Sequence, residues 1–321
     1  MPSLVAANIV TGFLGSGKTT LLKSALKKGL AGRKVAFIVN DFGEIGIDGV
    51  VLKGMNVDRL VELPSGCICC TIGSRFALAV QEIVETYEPH LIVIETSGVT
   101  EPGPLISELS LVGVRTDSVI TVADAENIIR FCKENETVVR QVEEADFVII
   151  NKTDLATPKE LIRLEKHLRR LNPRAIFFPT TYGQVQDEIL FATSAATYWR
   201  RPVHSEGNDN RRLHLNQDSL TSFSFQREGV MVRHPFEAFL SKLPPEIYRA
   251  KGIVKFSGEG WSSIFNYTCG RSQLDWLSPA EGNSFHNRAV VIGKNLAPMR
   301  DGILRELEKC FEATTMTARQ E

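Results

Sequence analysis

The residues best suited to chemistry stand near the start of the chain, where Gly12-Phe13-Leu14-Gly15-Ser16-Gly17-Lys18-Thr19 is followed by Thr20. Gly, four residues, then Gly-Lys-Thr is the spacing of a phosphate cradle. Its glycines let the backbone curl so that N–H groups and a helix N-terminus face phosphate oxygens. In that pattern Gly12, Gly15, Ser16 and Gly17 line the phosphates, Lys18 reaches the β- and γ-phosphates, the Thr19 hydroxyl meets Mg²⁺, and Thr20 completes the nucleotide-binding run. Such a loop needs an acidic residue at the end of a neighbouring strand to hold the Mg²⁺ shell. Glu95, which closes Leu91-Ile92-Val93-Ile94-Glu95, fits that role and forms the expected catalytic pair with Lys18. The Gly98 N–H just beyond it is placed to sense a γ-phosphate.

Choice of base is read from Asn151-Lys152-Thr153-Asp154, which ends another apolar run. An Asp carboxylate accepts from guanine N1–H and the 2-amino group together, a donor pair adenine lacks. Asn151 is expected to read the base edge and the Lys152 stem to cover the purine face, so the nucleotide is GTP rather than ATP.

Cys67-Ile68-Cys69-Cys70 is the second chemical cluster. Three thiols this close can present three sulfurs to one soft metal, becoming thiolates as the metal displaces their protons. With no second pair to close a four-cysteine site, the set reads as open and exchangeable rather than as structural zinc. Three packed thiols without chemistry, or a redox pair of Cys67 with Cys70, are the alternatives. The acidic stretch from Asn40 to Gly49 falls where a nucleotide switch is expected; within it Glu44 is the candidate extra metal contact and Asp48 the candidate on the Mg²⁺ side.

The elements that must position these residues are legible in outline. Apolar runs at 6–10, 34–39, 91–95, 118–123, 147–150 and 175–178 are apolar throughout, as strands buried on both faces of a mostly parallel sheet are. Helical signals lie between them: 18–28 after the glycine loop, 74–86, and a capping box at Thr157-Pro158-Lys159-Glu160 that opens a helix with Leu161, Leu164, Leu168 and Leu171 on one face. The fold class is therefore α/β, a phosphate-loop domain over 1–197. A polar linker over 198–217 precedes a smaller α+β domain over 218–321, with strands expected at 222–226, 252–256, 264–269 and 289–293 and helices at 235–243 and 298–312. The 37 Lys+Arg nearly cancel the 38 Asp+Glu, which argues against nucleic acid or an anionic membrane as partner. No apolar run approaches the ~20 residues of a membrane span, and the expected location is the cytoplasm. Cys132, Cys269 and Cys310 stand alone and read as packed core thiols.

Taken in order, GFLGSGKTT, NDFGEIGID, GCICC, ETSG and NKTD resemble the CobW-like P-loop GTPases, a family of metal chaperones and metalloenzyme activators. Arg249-Ala250-Lys251-Gly252 and His286-Asn287-Arg288 resemble that family's C-terminal domain, extending the likeness to nearly the whole chain. The resemblance implies a GTPase that holds zinc or another transition metal at Cys67, Cys69 and Cys70 with Glu44 close by; because no Gln follows the Glu95–Gly98 segment to orient the attacking water, hydrolysis is expected to be slow in isolation. It implies cofactors GTP, Mg²⁺ and Zn²⁺ (or Co²⁺), a client metalloprotein as partner, and a possible homo-oligomer. The His-rich stretch of many relatives is absent. A thiol-based redox or metal-sensing switch acting through partner binding is the rival reading; a small-molecule kinase, without a substrate lid and carrying the guanine pattern, is a weaker one.

Overall fold

The computed structural model describes residues 5–28, 34–40, 59–63, 74–185, 190–191, 220–277 and 286–312. The chain divides into two compact units between Thr197 and Tyr198.

In the first unit the elements run β1 (Ala6–Thr11), α1 (Lys18–Lys28), β2 (Val35–Asn40), β3 (Arg59–Leu63), α2 (Ser74–Tyr87), β4 (Leu91–Glu95), α3 (Pro102–Leu111) and β5 (Arg115–Asp124). Then come α4 (Ile128–Glu134), α5 (Glu136–Glu143), β6 (Phe147–Asn151), α6 (Pro158–Leu171) and β7 (Ile176–Pro179). The strands form one seven-stranded sheet in the order β3-β2-β4-β1-β5-β6-β7, and every pairing is parallel. Their apolar composition follows from burial on both faces. Ile9, Ile38, Ile92 and Ile94 pack with Phe76, Val80 and Ile83 of α2 and Leu105 and Leu109 of α3. The intervening residues Phe37, Val93, Phe147 and Ile149 are just as buried.

The strand order puts β1 between β4 and β5, so the chain leaves to one side of β1 after α1 and crosses to the other after α3. The loops following β1 and β4 therefore open side by side at the carboxyl edge of the sheet, where doubly wound folds bind ligands. Register makes this concrete: Val10 lies opposite Glu95, and the Thr96 N–H donates to Val10 O at 3.0 Å. The capping box forms as expected, with Thr157 Oγ1 accepting from Glu160 N and Glu160 Oε2 accepting from Thr157 N at 2.8 Å.

The second unit holds β8 (Leu220–Glu228), α7 (Arg233–Ser241), β9 (Ile247–Lys255), β10 (Ser262–Thr268), β11 (Arg271–Leu277), β12 (His286–Lys294) and α8 (Arg300–Glu308). Its five strands form an antiparallel sheet, β11-β10-β9-β12-β8. Phe236, Leu240, Ile303 and Leu307 of the two helices share a core with Phe265, Tyr267 and Val291 of the sheet. Two readings need correction. The last helix is shorter than 298–312, and Cys310, although 2% exposed, lies beyond its end. Cys269 is buried, but it sits at φ 48° in the turn between β10 and β11 rather than on the strand.

Candidate functional site

The loop from Gly12 to Gly17 joins β1 to α1 at the carboxyl edge of the parallel sheet. Two of its glycines, Gly12 and Gly17, are required by space as well as by dihedral angle. Gly12 has φ 136°, and a Cβ there would lie 2.2 Å from Val122 O; Gly17 has φ 102°, and a Cβ would lie 2.3 Å from Asn151 Nδ2. Either side chain would push backbone or a buried amide aside in a left-handed conformation that other residues resist. The Ser16 hydroxyl is 2% exposed and finds no hydrogen-bond partner among the described residues. An orphaned buried hydroxyl inside a curl of N–H groups fits phosphate oxygen. Lys18 Nζ donates to Gly12 O at 2.8 Å and to Phe13 O at 3.4 Å, so its ammonium sits over the mouth of the loop.

Thr19 Oγ1 donates to Glu95 Oε1 at 2.9 Å, and Glu95 is 3% exposed. A buried carboxylate against a hydroxyl at the phosphate end of the loop is a donor set of hard oxygens, and it fits Mg²⁺. Thr19 and Glu95 would hold that ion, which supplies charge neutralisation between phosphate oxygens. Thr20 is exposed on the first turn of α1. Gly98 is buried and touches the phosphate loop: a Cβ on it would lie 2.5 Å from Leu14 N.

In the guanine-type motif, Asn151 ties two loops together. Its side chain is 2% exposed, with Nδ2 donating to Ser16 O at 2.9 Å and Oδ1 accepting from Gly183 N at 3.0 Å. The amide therefore ties the phosphate loop to the loop after β7, one bond from each end. Lys152 stands at φ 61°, and its Nζ donates to Asp124 Oδ2 at 2.8 Å. Burial raises the Asp124 carboxyl, but the Lys152 ammonium and the Glu126 N–H outweigh it, so the group titrates below its ordinary range. The left-handed turn at Lys152 leads into a single 3-10 turn, Thr153–Leu155, that leaves Asp154 exposed.

Three contributors escaped the sequence reading. Asp124 carries a faint signal, an acid at the end of β5. Gly183 lies in Thr180-Thr181-Tyr182-Gly183, a turn-rich tetrad after a strand. Gln141, on α5, has no motif around it, yet its Nε2 donates to Gly98 O at 3.2 Å and Thr100 O at 3.0 Å. Cys67, Cys69, Cys70, Glu44 and Asp48 all lie outside the described residues. Among the described residues no group of three or more His, Cys, Asp or Glu is placed to hold a metal ion.

Comparison with known proteins bears on the whole chain. Residues 6–179 match the nucleotide-binding domain described as CobW/HypB/UreG, and residues 220–311 match the cobalamin synthesis protein cobW C-terminal domain. A protein named zinc-regulated GTPase metalloprotein activator 1 from Schizosaccharomyces pombe is 34% identical, covering 91% of this chain and 83% of that protein. The zinc chaperone CobW of a Sinorhizobium species is 30% identical over 90% of this chain and 92% of its own length. The zinc chaperone YjiA of Escherichia coli is 28% identical over 91% and 95%. With its phosphate cradle, its Thr19–Glu95 pair and both domains matched, this chain belongs to the CobW/HypB/UreG family of nucleotide-binding proteins.

Proposed function

We propose that this chain is a GTP-hydrolysing metallochaperone that carries zinc on Cys67, Cys69 and Cys70, with Glu44 close by, and hands it to a client metalloprotein. Zinc is cargo here, with cobalt the second choice. Gly12 to Thr20 and Gly98 bind the phosphates, Thr19, Glu95 and Asp48 serve Mg²⁺, and Lys152 and Asp154 bind guanine. Asn151 serves the same pocket indirectly, by holding the phosphate loop. The related zinc chaperones and zinc-regulated activator support the cargo and the existence of a client.

One geometric observation carries the link between nucleotide and cargo. In the sheet, Val39 of β2 lies opposite both Glu62 of β3 and Glu95 of β4. The strand that feeds the cysteine motif thus ends in the same row as the Mg²⁺ carboxylate, two strand spacings or roughly 10 Å away. A loop leaving Leu63 starts within reach of any movement at Glu95 to Gly98.

The test is zinc transfer. Protein loaded with one equivalent of zinc is mixed with a chromogenic chelator, and the transfer rate is followed during GTP turnover, with GDP, and with a non-hydrolysable GTP analogue. Transfer should be fastest during turnover and should vanish, with the bound zinc, in the triple variant C67S/C69S/C70S. Transfer that ignores the nucleotide would overturn the proposal.

A further inference from the structure

Gln141 is fully buried, 0% exposed, on α5, and belongs to none of the nucleotide motifs. Both protons of its amide go to the loop after Glu95, one toward Gly98 O and one toward Thr100 O, at 3.2 and 3.0 Å. The orientation of that amide is set by chemistry. Both neighbours are carbonyls, and a flipped amide would put oxygen against oxygen. Its Oε1 has no hydrogen-bond partner among the described residues. A buried acceptor left unmade is a standing cost, which a Met or Leu of similar volume would avoid. Packing alone does not account for an amide at this place.

The loop it holds has little slack. Thr96 Oγ1 donates to Thr11 Oγ1 at 2.9 Å, Ser97 Oγ and Thr100 Oγ1 share a bond of 2.7 Å, and Gly98 presses on the phosphate loop at Leu14. The amide of Gln141 links this loop to α5, and Thr121 Oγ1 of β5 donates in turn to Gln141 O at 2.5 Å. We propose that Gln141 is a positioning residue that fixes the Gly98 segment where a γ-phosphate needs its N–H, and so sets the preference for GTP over GDP. This rests on the assignment of Gly98 as the γ-phosphate contact. GDP does not reach that N–H, so loosening the loop weakens GTP selectively: its ordering must then be supplied by the bound nucleotide.

The experiment compares wild type with Q141M, which keeps the length of the side chain and loses both donors. Binding of the slowly hydrolysed analogue GTPγS should weaken about tenfold, the size expected for losing two neutral hydrogen bonds, while GDP affinity stays within about twofold and kcat for GTP falls. Q141N, whose shorter amide cannot span both carbonyls, should move the same way and serves if Q141M folds poorly. Equal loss for both nucleotides means a structural role only and overturns the proposal, as does no change in either. Hydrogen exchange over 96–100 separates the two assignments. In wild type it should slow on passing from GDP to GTPγS, and in Q141M that difference should shrink. No difference in wild type removes the Gly98 assignment itself; a full difference retained in Q141M removes only the role of Gln141.

Discussion

An exposed aspartate discriminates between bases only if its approach is fixed before the ligand arrives. At Asp154, proposed above to bind guanine, that fixing comes from two residues earlier: Lys152 adopts a left-handed backbone and is held at 2.8 Å by Asp124, and the 3-10 turn follows from it. Replacing Asp154 by Ala should cost on the order of 2–5 kcal/mol of GTP affinity, most of it from base donors left without an acceptor. Equilibrium titration with GTP and ATP checks this, since ATP binding should barely change. Asp124 gives a pH signature. Its folded-state titration lies below the unfolded value of about 3.9. The stability it contributes is therefore fully present above that unfolded value and is lost as pH falls through the lower, folded one. Urea unfolding of wild type between pH 2 and 6 should show stability dropping on the acid side, and D124N should be less stable at pH 6 with a shallower acid slope. An unchanged slope would mean the pair does not act as described.

At the scale of elements, local signals explain what the sequence made legible and what it did not. Thr157-Pro158-Lys159-Glu160 states its own helix start, because both partners of the cap lie within three residues of each other. Thr157→Ala should therefore cost about 1 kcal/mol, seen as faster hydrogen exchange in the first turn of α6 rather than throughout the sheet. The phosphate cradle and Glu95 were legible for the same reason, being short motifs at strand ends. Besides α5, which the sequence reading also passed over, three elements were hidden by their composition. Pro102-Gly103-Pro104 looks like a loop, yet proline is tolerated in the first turn and α3 begins there. α4 spans only seven residues, too few for a helical period to show. β11 is an edge strand whose Arg271, Ser272, Gln273 and Asp275 suit an unpaired edge and mask its alternation. The contacts of Asn151 and Gln141 were illegible for another reason. Their partners lie 135 and 43 residues away, and no local pattern announces a contact of that range.

At the scale of the molecule, the issue is whether nucleotide and cargo share one free energy. β2, β3 and β4 end together, so the chain entering the cysteine motif and the loop from Glu95 to Gly98, proposed to sense the phosphate, depart from one sheet edge. If zinc fixes the first in one geometry and GTP and GDP favour different geometries of the second, the two binding events are linked. Linkage is reciprocal: a tenfold change of zinc affinity by GTP demands a tenfold change of GTP affinity by zinc, about 1.4 kcal/mol of coupling. Both halves can be measured, by zinc titration with a sulfur-free, non-hydrolysable GTP analogue (the β,γ-imido compound) or GDP bound and by nucleotide titration with and without zinc. The triple variant C67S/C69S/C70S is a sound blank. Of the cysteines it retains, burial pushes Cys132 and Cys310 up to about 11, so both stay protonated near neutral pH and are poor zinc ligands. Cys269 is buried in its turn. The variant should keep its nucleotide affinities and lose the dependence on zinc. Equal zinc affinity in the two nucleotide states would leave hydrolysis with no hold on the metal, and would favour a thiol-based sensing switch over delivery.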